Sequence, residues 1–167
     1  MIDRLLRLLE GRESPNAAPT DEDLRIAVAA LLVETARMDQ SFGDAERAVI
    51  ASLLTNRFGL PAAAVSSLIQ RADRRVGDSV QYFPFTHNIN QKMTPQEKAE
   101  FVEMLWRVAY ADGVLDPHED QLIRQIAGLI HVPDRDRMLA RMRALKTDDA
   151  TRQKDKWRVL SNPSRAT

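Results

Sequence analysis

The sequence predicts an all-α protein, a compact bundle of about seven helices built from two pseudo-symmetric helix-loop-helix halves. Apolar residues recur at helical spacing through most of the chain, and no segment shows the alternation with β-branched enrichment that is typical of a strand. Several segments also begin with helix-capping sequences. A helix-turn-helix pattern occurs twice, since Leu32–Leu53 superposes on Leu105–Ile126 with apolar and acidic positions in register.

The sequence of the first half of the domain predicts three helices. Thr20 followed by three acidic residues supplies an N-cap and a first turn that complements the helix dipole, which predicts a helix from there to Met38. A second helix is expected over about Asp44–Phe58, with Gly59 as the glycine after its C-terminus. Pro61 fits the first turn of a third helix that ends near residue 76.

The second half begins with an aromatic segment, residues 82–85, in which a short helix is expected over about 85–90. Residues 94–97 combine an N-cap threonine, a proline and a capping-box glutamate, which predicts a helix to about residue 109. Residues 116–119 repeat this pattern and begin the next helix, and a last helix is expected over about 133–145.

Three regions are expected along the chain. Residues 1–19 form a short amphipathic helix, carrying Ile2, Leu5, Leu6 and Leu9, that could dock on the main body, followed by a proline-containing linker. Residues 20–146 form the helical domain. Residues 147–167 lack a sustained apolar face and are expected to be a flexible polar tail.

Composition excludes several classes of function. The 24 basic and 24 acidic residues cancel, which argues against nucleic-acid binding. The absence of cysteine excludes disulfides, thiolate nucleophiles and cysteine-ligated zinc. No apolar run approaches the roughly 20 residues of a membrane span and no secretory cleavage site is present, so we expect a cytoplasmic protein without a transmembrane segment.

The turn of the second repeat carries the most specific motif. Residues 109–119 read A-x-A-D-G-x-L-D-x-x-E. This string resembles the TerB family of tellurite-resistance-like proteins, whose fold also occurs in the DjlA co-chaperone, and the resemblance covers about Asp21–Leu145. It implies an all-α fold and an association with tellurite resistance and stress responses in bacteria. The His-Pro-Asp tripeptide of the J-domain that accompanies this module in the co-chaperone is missing here.

The acidic loops allow two interpretations. In the first, Ca²⁺ or Mg²⁺ binds carboxylates that meet at one end of the bundle, although the spacing is not that of an EF-hand. The candidate ligands are Asp112, Asp116 and Glu119 of the second loop with Asp39 and Glu46 of the first. In the second interpretation, Asp112 accepts bonds within the turn, Gly113 takes a positive φ, Asp116 caps the helix and Glu119 completes a capping box.

Other candidate residues are expected to have structural roles. His87, His118 and His131 do not stand at metal-binding spacing and are interpreted as surface or capping residues. Trp106 is interpreted as a packing residue. A basic cluster on the last helix is expected to be a solvated face, or else a docking surface for an acidic partner or anionic lipid. It consists of Arg135, Arg137, Arg141, Arg143 and Lys146.

The leading functional hypothesis is a noncatalytic interaction module in a stress-response or tellurite-resistance-linked assembly. Its partner is expected to be a protein, and a membrane-associated partner is one of the alternatives. The expected contact surfaces of the module are the helix beginning at Thr94, the aromatic segment and the basic last helix. The alternative is a metal-ion binding or sensing protein that uses the acidic loops. A metal-dependent hydrolase built from paired carboxylates and a histidine is a third, weaker hypothesis, and no cofactor is expected beyond that divalent cation.

Overall fold

A computed structural model describes residues 18–38, 42–78 and 81–161, and all regular structure in these ranges is helical. This confirms the predicted fold class and the expected number of helices. The predicted N-terminal helix and most of the linker after it lie outside the described residues. The helices are α1 Asp21–Arg37, α2 Asp44–Phe58, α3 Ala62–Asp78, α4 Phe83–Lys92, α5 Pro95–Ala109, α6 Pro117–Leu129 and α7 Asp134–Ser161.

Reciprocal caps begin α1 and α5, as the sequence predicts. The Thr20 hydroxyl accepts a hydrogen bond from the backbone N–H of Asp23 at 3.1 Å, and the Asp23 carboxylate accepts one from the Thr20 N–H at 2.7 Å. Thr94 and Glu97 repeat the arrangement at 3.2 and 2.8 Å. At the end of α2, Gly59 takes the left-handed conformation with φ +63°, which confirms its predicted role.

Helix α1 lies at the centre of the bundle and packs against α2, α3, α4, α5 and α6. Residues 27–33 are completely buried on every side, so this helix is apolar all round over two turns rather than along one stripe. Helices α1 and α5 each contact both α2 and α6. Those are the pairings that two equivalent halves would make, and the twofold relation itself stays a prediction.

The last helix is longer than predicted. It continues to Ser161, so the prediction that it ends near residue 145 and gives way to a tail is wrong for residues 147–161. This extension of α7 lacks an apolar face, and side-chain interactions within the helix support it instead. Asp148 and Arg152, one turn apart, form an ion pair at 3.0 Å, and the Thr147 hydroxyl donates to the Arg143 carbonyl at 3.0 Å. Residues 162–167 lie outside the described part of the chain.

The side of α7 that carries its leucines and methionines was expected to pack against the bundle. In the first half of the helix the opposite side packs there instead. Ala140 and Ala144 are completely buried against the bundle, and Arg137 is only 8% exposed. The prediction of a solvated basic face is therefore wrong for Arg137, because small alanines let α7 approach α5 closely while the arginines pack their aliphatic stems. The exposed side instead carries Met138, Leu139, Met142 and Leu145.

Within the described ranges, no single helix combines the length and apolar composition of a membrane span. The α2–α3 pair passes that test only when both helices are taken together, and the chain bends by 115° between them.

Candidate functional site

The second acidic loop, residues 110–116 between α5 and α6, is held by its own carboxylates. The Val114 N–H donates to Oδ1 of Asp112 at 3.0 Å, and Gly113 has φ +85°. The His118 N–H donates to Oδ1 of Asp116 at 2.7 Å, and the Asp116 N–H donates to Oε2 of Glu119 at 3.1 Å. All four structural roles predicted by the second interpretation are confirmed.

A cation from α7 lies directly on this loop. A Cβ atom added to Gly113 would stand 2.8 Å from Nη2 of Arg152, so the guanidinium rests against the glycine backbone. The same nitrogen lies 3.0 Å from the Asp148 carboxylate. The extension of α7 beyond its predicted end therefore brings the Arg152–Asp148 ion pair against the backbone of the acidic loop. Sequence reasoning missed this contact because it ended the helix before Arg152.

The first acidic loop, between α1 and α2, shares one hydrogen-bond arrangement with the second. The Gly43 N–H donates to Oε2 of Glu46 at 3.0 Å, so this carboxylate closes the start of α2 as Glu119 closes the start of α6. Both are buried, at 7% and 3% exposure. Asp39 lies outside the described residues. Over the ranges that the structure covers, no group of three histidine or acidic side chains is placed to hold a metal ion, so the ion-binding hypothesis gains no support there.

An open groove of about 810 Å³ lies between the first turns of α5 and the first half of α7. Its two walls are both contact surfaces that the sequence predicts. One wall is the helix from Thr94 and the other is the basic last helix. The groove combines apolar and acidic side chains. Its lining residues are Thr94, Pro95, Gln96, Ala99, Glu100, Glu103, Asp136, Leu139 and Arg143.

Glu103 ties the two walls of this groove together. Its Oε1 accepts a hydrogen bond from Arg107 one turn along α5 at 2.9 Å, and its Oε2 accepts one from Nε of Arg143 on α7 at 3.0 Å. The charge of Glu103 is thus balanced within the fold. Glu100 and Asp136 add two further carboxylates to the lining, which makes the groove acidic.

The start of α5, which forms one end of the groove, is anchored to α2. Glu97 accepts hydrogen bonds from the Thr94 N–H at 2.8 Å and from the Arg57 guanidinium at 2.9 Å. The bond from the Thr94 backbone, followed by that from Arg57, lowers the pKa of the Glu97 carboxyl below its usual 4.5. The groove therefore has a rigid rather than a frayed helix end.

The aromatic segment is mostly internal. Phe85 is buried, and the Tyr82 hydroxyl donates to Oε1 of Glu34 at 3.1 Å. Burial, with the nearby Glu34 charge, raises the pKa of Tyr82 to about 12. Phe83 alone of these aromatic side chains is largely exposed, at 69%, and it stacks on His87 with 5.7 Å between ring centres. The contact surface expected here reduces to that single ring pair.

The three histidines lie on the surface, as predicted. His118 begins α6, where its backbone donates to the capping aspartate. His131 follows α6 with φ +61°, and its N–H donates to the Gly128 carbonyl at 3.2 Å. A non-glycine residue in this conformation was not predicted, since histidine at a helix end gives only a weak signal for it.

Trp106 is completely buried, which confirms its predicted packing role. The Arg141 guanidinium lies 5.1 Å from the centre of its ring, and the Tyr110 ring stacks on it at 6.1 Å. These contacts fix α7 against the end of α5, at the point where the acidic loop begins.

Comparison with known proteins agrees with this architecture. The family model described as "Tellurite resistance protein TerB" matches residues 25–142, which run from the first turns of α1 into α7. No curated protein and no solved structure matches the chain. The match covers more than half of the 167 residues and includes both sequence repeats, the acidic loop and all of the groove lining except Arg143. The chain belongs to the TerB family.

Proposed function

We propose that this protein is a noncatalytic interaction module that binds a protein partner through the α5–α7 groove, within a bacterial stress-response or tellurite-resistance-linked assembly in the cytoplasm. The description of the matching family as a tellurite resistance protein supports the link to tellurite resistance. The groove supports this contact, because it is a concave surface whose two walls, α5 and α7, were each expected from the sequence to face a partner.

The lining of the groove favours a basic, amphipathic segment as the ligand. Leu139 is 41% exposed at its wall and offers an apolar contact, while Glu100 and Asp136 offer negative charge. A volume of about 810 Å³ is in the range of binding clefts, and an open groove between two helices suits an added helix better than an enclosed small molecule. Charge complementarity would then set specificity and the rate of association.

The roles of the loop carboxylates favour this function over ion sensing. Three carboxylates each accept a hydrogen bond from a backbone N–H within the loop or at the start of α6, namely those of Asp112, Asp116 and Glu119. Arg152 already brings positive charge to the same loop. A divalent cation would have to compete with these contacts, whereas a partner in the groove would disturb none of them.

Site-specific photocrosslinking tests the proposal. A photoreactive amino acid is placed at Gln96, which lines the groove, and at Gln125, an exposed residue of α6 outside the groove lining, as the matched control. In the native host we expect a discrete protein adduct from position 96 and none from position 125. The adduct should be lost when Glu100→Lys and Asp136→Lys reverse the charge of the groove.

Two outcomes would contradict the proposal. Equal adducts from both positions would indicate nonspecific contact, and an adduct that survives the charge reversal would remove the groove from the interface. Far-ultraviolet circular dichroism of the double charge-reversal variant distinguishes loss of binding from loss of the fold, since both substituted side chains are solvent-accessible.

A further inference from the structure

Helix α7 presents an apolar face to solvent. Met138, Met142 and Leu145 follow one another at helical spacing, with exposures of 46%, 55% and 36%, and Leu139 beside them is 41% exposed. The opposite side of the helix, through Ala140 and Ala144, packs into the bundle. The exposed face, defined as residues 138–145, is about 12 Å long at 1.5 Å per residue. A contiguous apolar surface of this kind is typical of a contact site.

The chain itself contains a segment of matching pattern. Ile2, Leu5, Leu6 and Leu9 stand at positions i, i+3, i+4 and i+7, which would align them along one side of a helix. As a helix, residues 2–10 would be about 13 Å long, close to the length of the exposed face of α7. Such a short helix is marginal alone in water and needs an apolar surface to pack on.

The point where this segment joins the described domain lies beside the end of α4, from which the chain leads into one wall of the groove. Lys92 forms an ion pair with Asp21 at 2.8 Å, which places the start of α1 beside the end of α4. Thr94 follows shortly after Lys92 and lines the groove whose opposite wall includes Leu139. The linker, residues 11–19, spans at most about 30 Å at roughly 3.3 Å per residue. That reach is enough to bring residues 2–10 to α7, with the high effective concentration of a tethered ligand.

The charges beside the two apolar surfaces are complementary. Asp3 and Glu10 stand two turns apart, which places both on one flank of the predicted N-terminal helix. Arg135 and Lys146 stand about three turns apart at the two ends of the exposed face, and both are exposed. Neither takes part in a salt bridge with any residue that the structure describes. Attraction between these two acidic and two basic side chains would favour the contact, and it acts equally in either direction of the segment.

We propose that residues 2–10 bind as an amphipathic helix across the exposed face of α7, residues 138–145, in the same molecule. The contact buries Met138, Met142 and Leu145, pairs Asp3 and Glu10 with Arg135 and Lys146, and leaves the groove side of Leu139 to the partner proposed above. It does not depend on the partner proposed for the groove. Because Leu139 borders both surfaces, the bound segment lies along one edge of the groove.

A spin label tests this contact directly. The chain has no cysteine, so Arg7→Cys gives a single attachment site on the side of the predicted helix away from the leucines. In full-length protein with isotope-labelled methionine methyl groups, we expect the oxidised nitroxide to reduce the Met138 and Met142 signals relative to the reduced label. The matched control adds Leu5→Asp and Leu9→Asp to the labelled chain and should restore both signals.

Three results would overturn the proposal. Unchanged methionine signals in the labelled chain would exclude the contact. Equal signal loss when spin-labelled chains without isotope are mixed with isotope-labelled chains lacking the nitroxide would make the occupant a second copy. Signal loss that requires phosphatidylserine-containing vesicles would make the face a membrane surface. The Gln96 crosslink reports on the groove separately, so failure of either proposal leaves the other measurable.

Discussion

The Nε atom of Arg141 donates a hydrogen bond to the Tyr110 hydroxyl at 2.9 Å, and its guanidinium also lies 5.1 Å from the centre of the Trp106 ring. Arg141 belongs to α7, whereas Tyr110 is the residue that ends α5 and begins the acidic loop. One arginine therefore couples the position of the last helix to that of the loop.

Removing the acceptor of this bond should destabilise the fold. Tyr110→Phe keeps the ring stacked on Trp106 and leaves the Nε of Arg141 without its partner, so we expect a loss of about 1 kcal/mol in the free energy of unfolding. Urea denaturation measures it. Arg124→Ala, which breaks an exposed ion pair within α6, is the comparison and should change stability by about 0.5 kcal/mol or less. Equal losses in both variants would contradict a special role for the Tyr110 bond.

The cap of α6 gives a second prediction. Asp116→Ala removes the acceptor for the His118 N–H and should cost about 1 kcal/mol, whereas Asp149→Ala, on the exposed side of α7, should cost much less. Thermal unfolding of metal-stripped protein is then repeated with Ca²⁺ or Mg²⁺. An ion at a hundred times its dissociation constant would stabilise the folded state by about 2.7 kcal/mol. We expect no such rise in the wild type, and one that Asp116→Ala abolishes would restore the ion-binding hypothesis.

Acid should weaken the start of α5. The Glu97 pKa is lower in the folded protein than its usual 4.5, so its stabilising contribution is complete above about pH 4.5. That contribution is lost as the pH falls through the folded-state pKa, because the unfolded chain then binds the proton more readily. In Glu97→Gln we expect a smaller loss of stability over this window. Arg57→Ala should reduce it only in part, because the Thr94 N–H is the larger cause, and denaturant melts at several pH values make the comparison.

The Tyr82 hydroxyl gives a fourth prediction. Its pKa of about 12 arises first from burial and then from the negative charge of Glu34, so Glu34→Gln should lower it without returning it to the ordinary 10.0. Alkaline titration of tyrosinate absorbance measures the shift, and Tyr82→Phe identifies which of the two tyrosine transitions is concerned. A pKa that stays at about 12 in Glu34→Gln would assign the whole effect to burial.

Local chemistry made much of this fold predictable. Thr20 with Asp23 and Thr94 with Glu97 are caps whose partners lie within one helical turn, so the sequence alone specifies the bonds that begin α1 and α5. The same holds for Asp116 and Glu119 in the acidic loop. Their structural role follows from residues close in the chain and needs no knowledge of packing.

The face of α7 that packs could not be predicted in this way. Its leucine and methionine spacing indicates one buried side, but Trp106 and Tyr110 on α5 favour a guanidinium, and the alanines allow a closer approach. Tertiary contacts therefore override the local apolar pattern. The groove depends on the same packing, since its walls come from helices far apart in the sequence, and Arg152 reaches Gly113 only because the helix continues past its expected end.

The exposed methionines of α7 are sites where this protein is open to oxidation whenever residues 2–10 do not cover them. Met93 and Met104 are buried, whereas Met138 and Met142 project into solvent. With no cysteine in the chain, these two thioethers are the exposed sulfur atoms among the residues that the structure describes, and an oxidant in solvent can reach them. Conversion to the sulfoxide would make an apolar surface polar while leaving the alanine side of the helix packed. Oxidation of these methionines would thus change the polarity of the exposed face of α7 without disturbing the packing of the bundle beneath it.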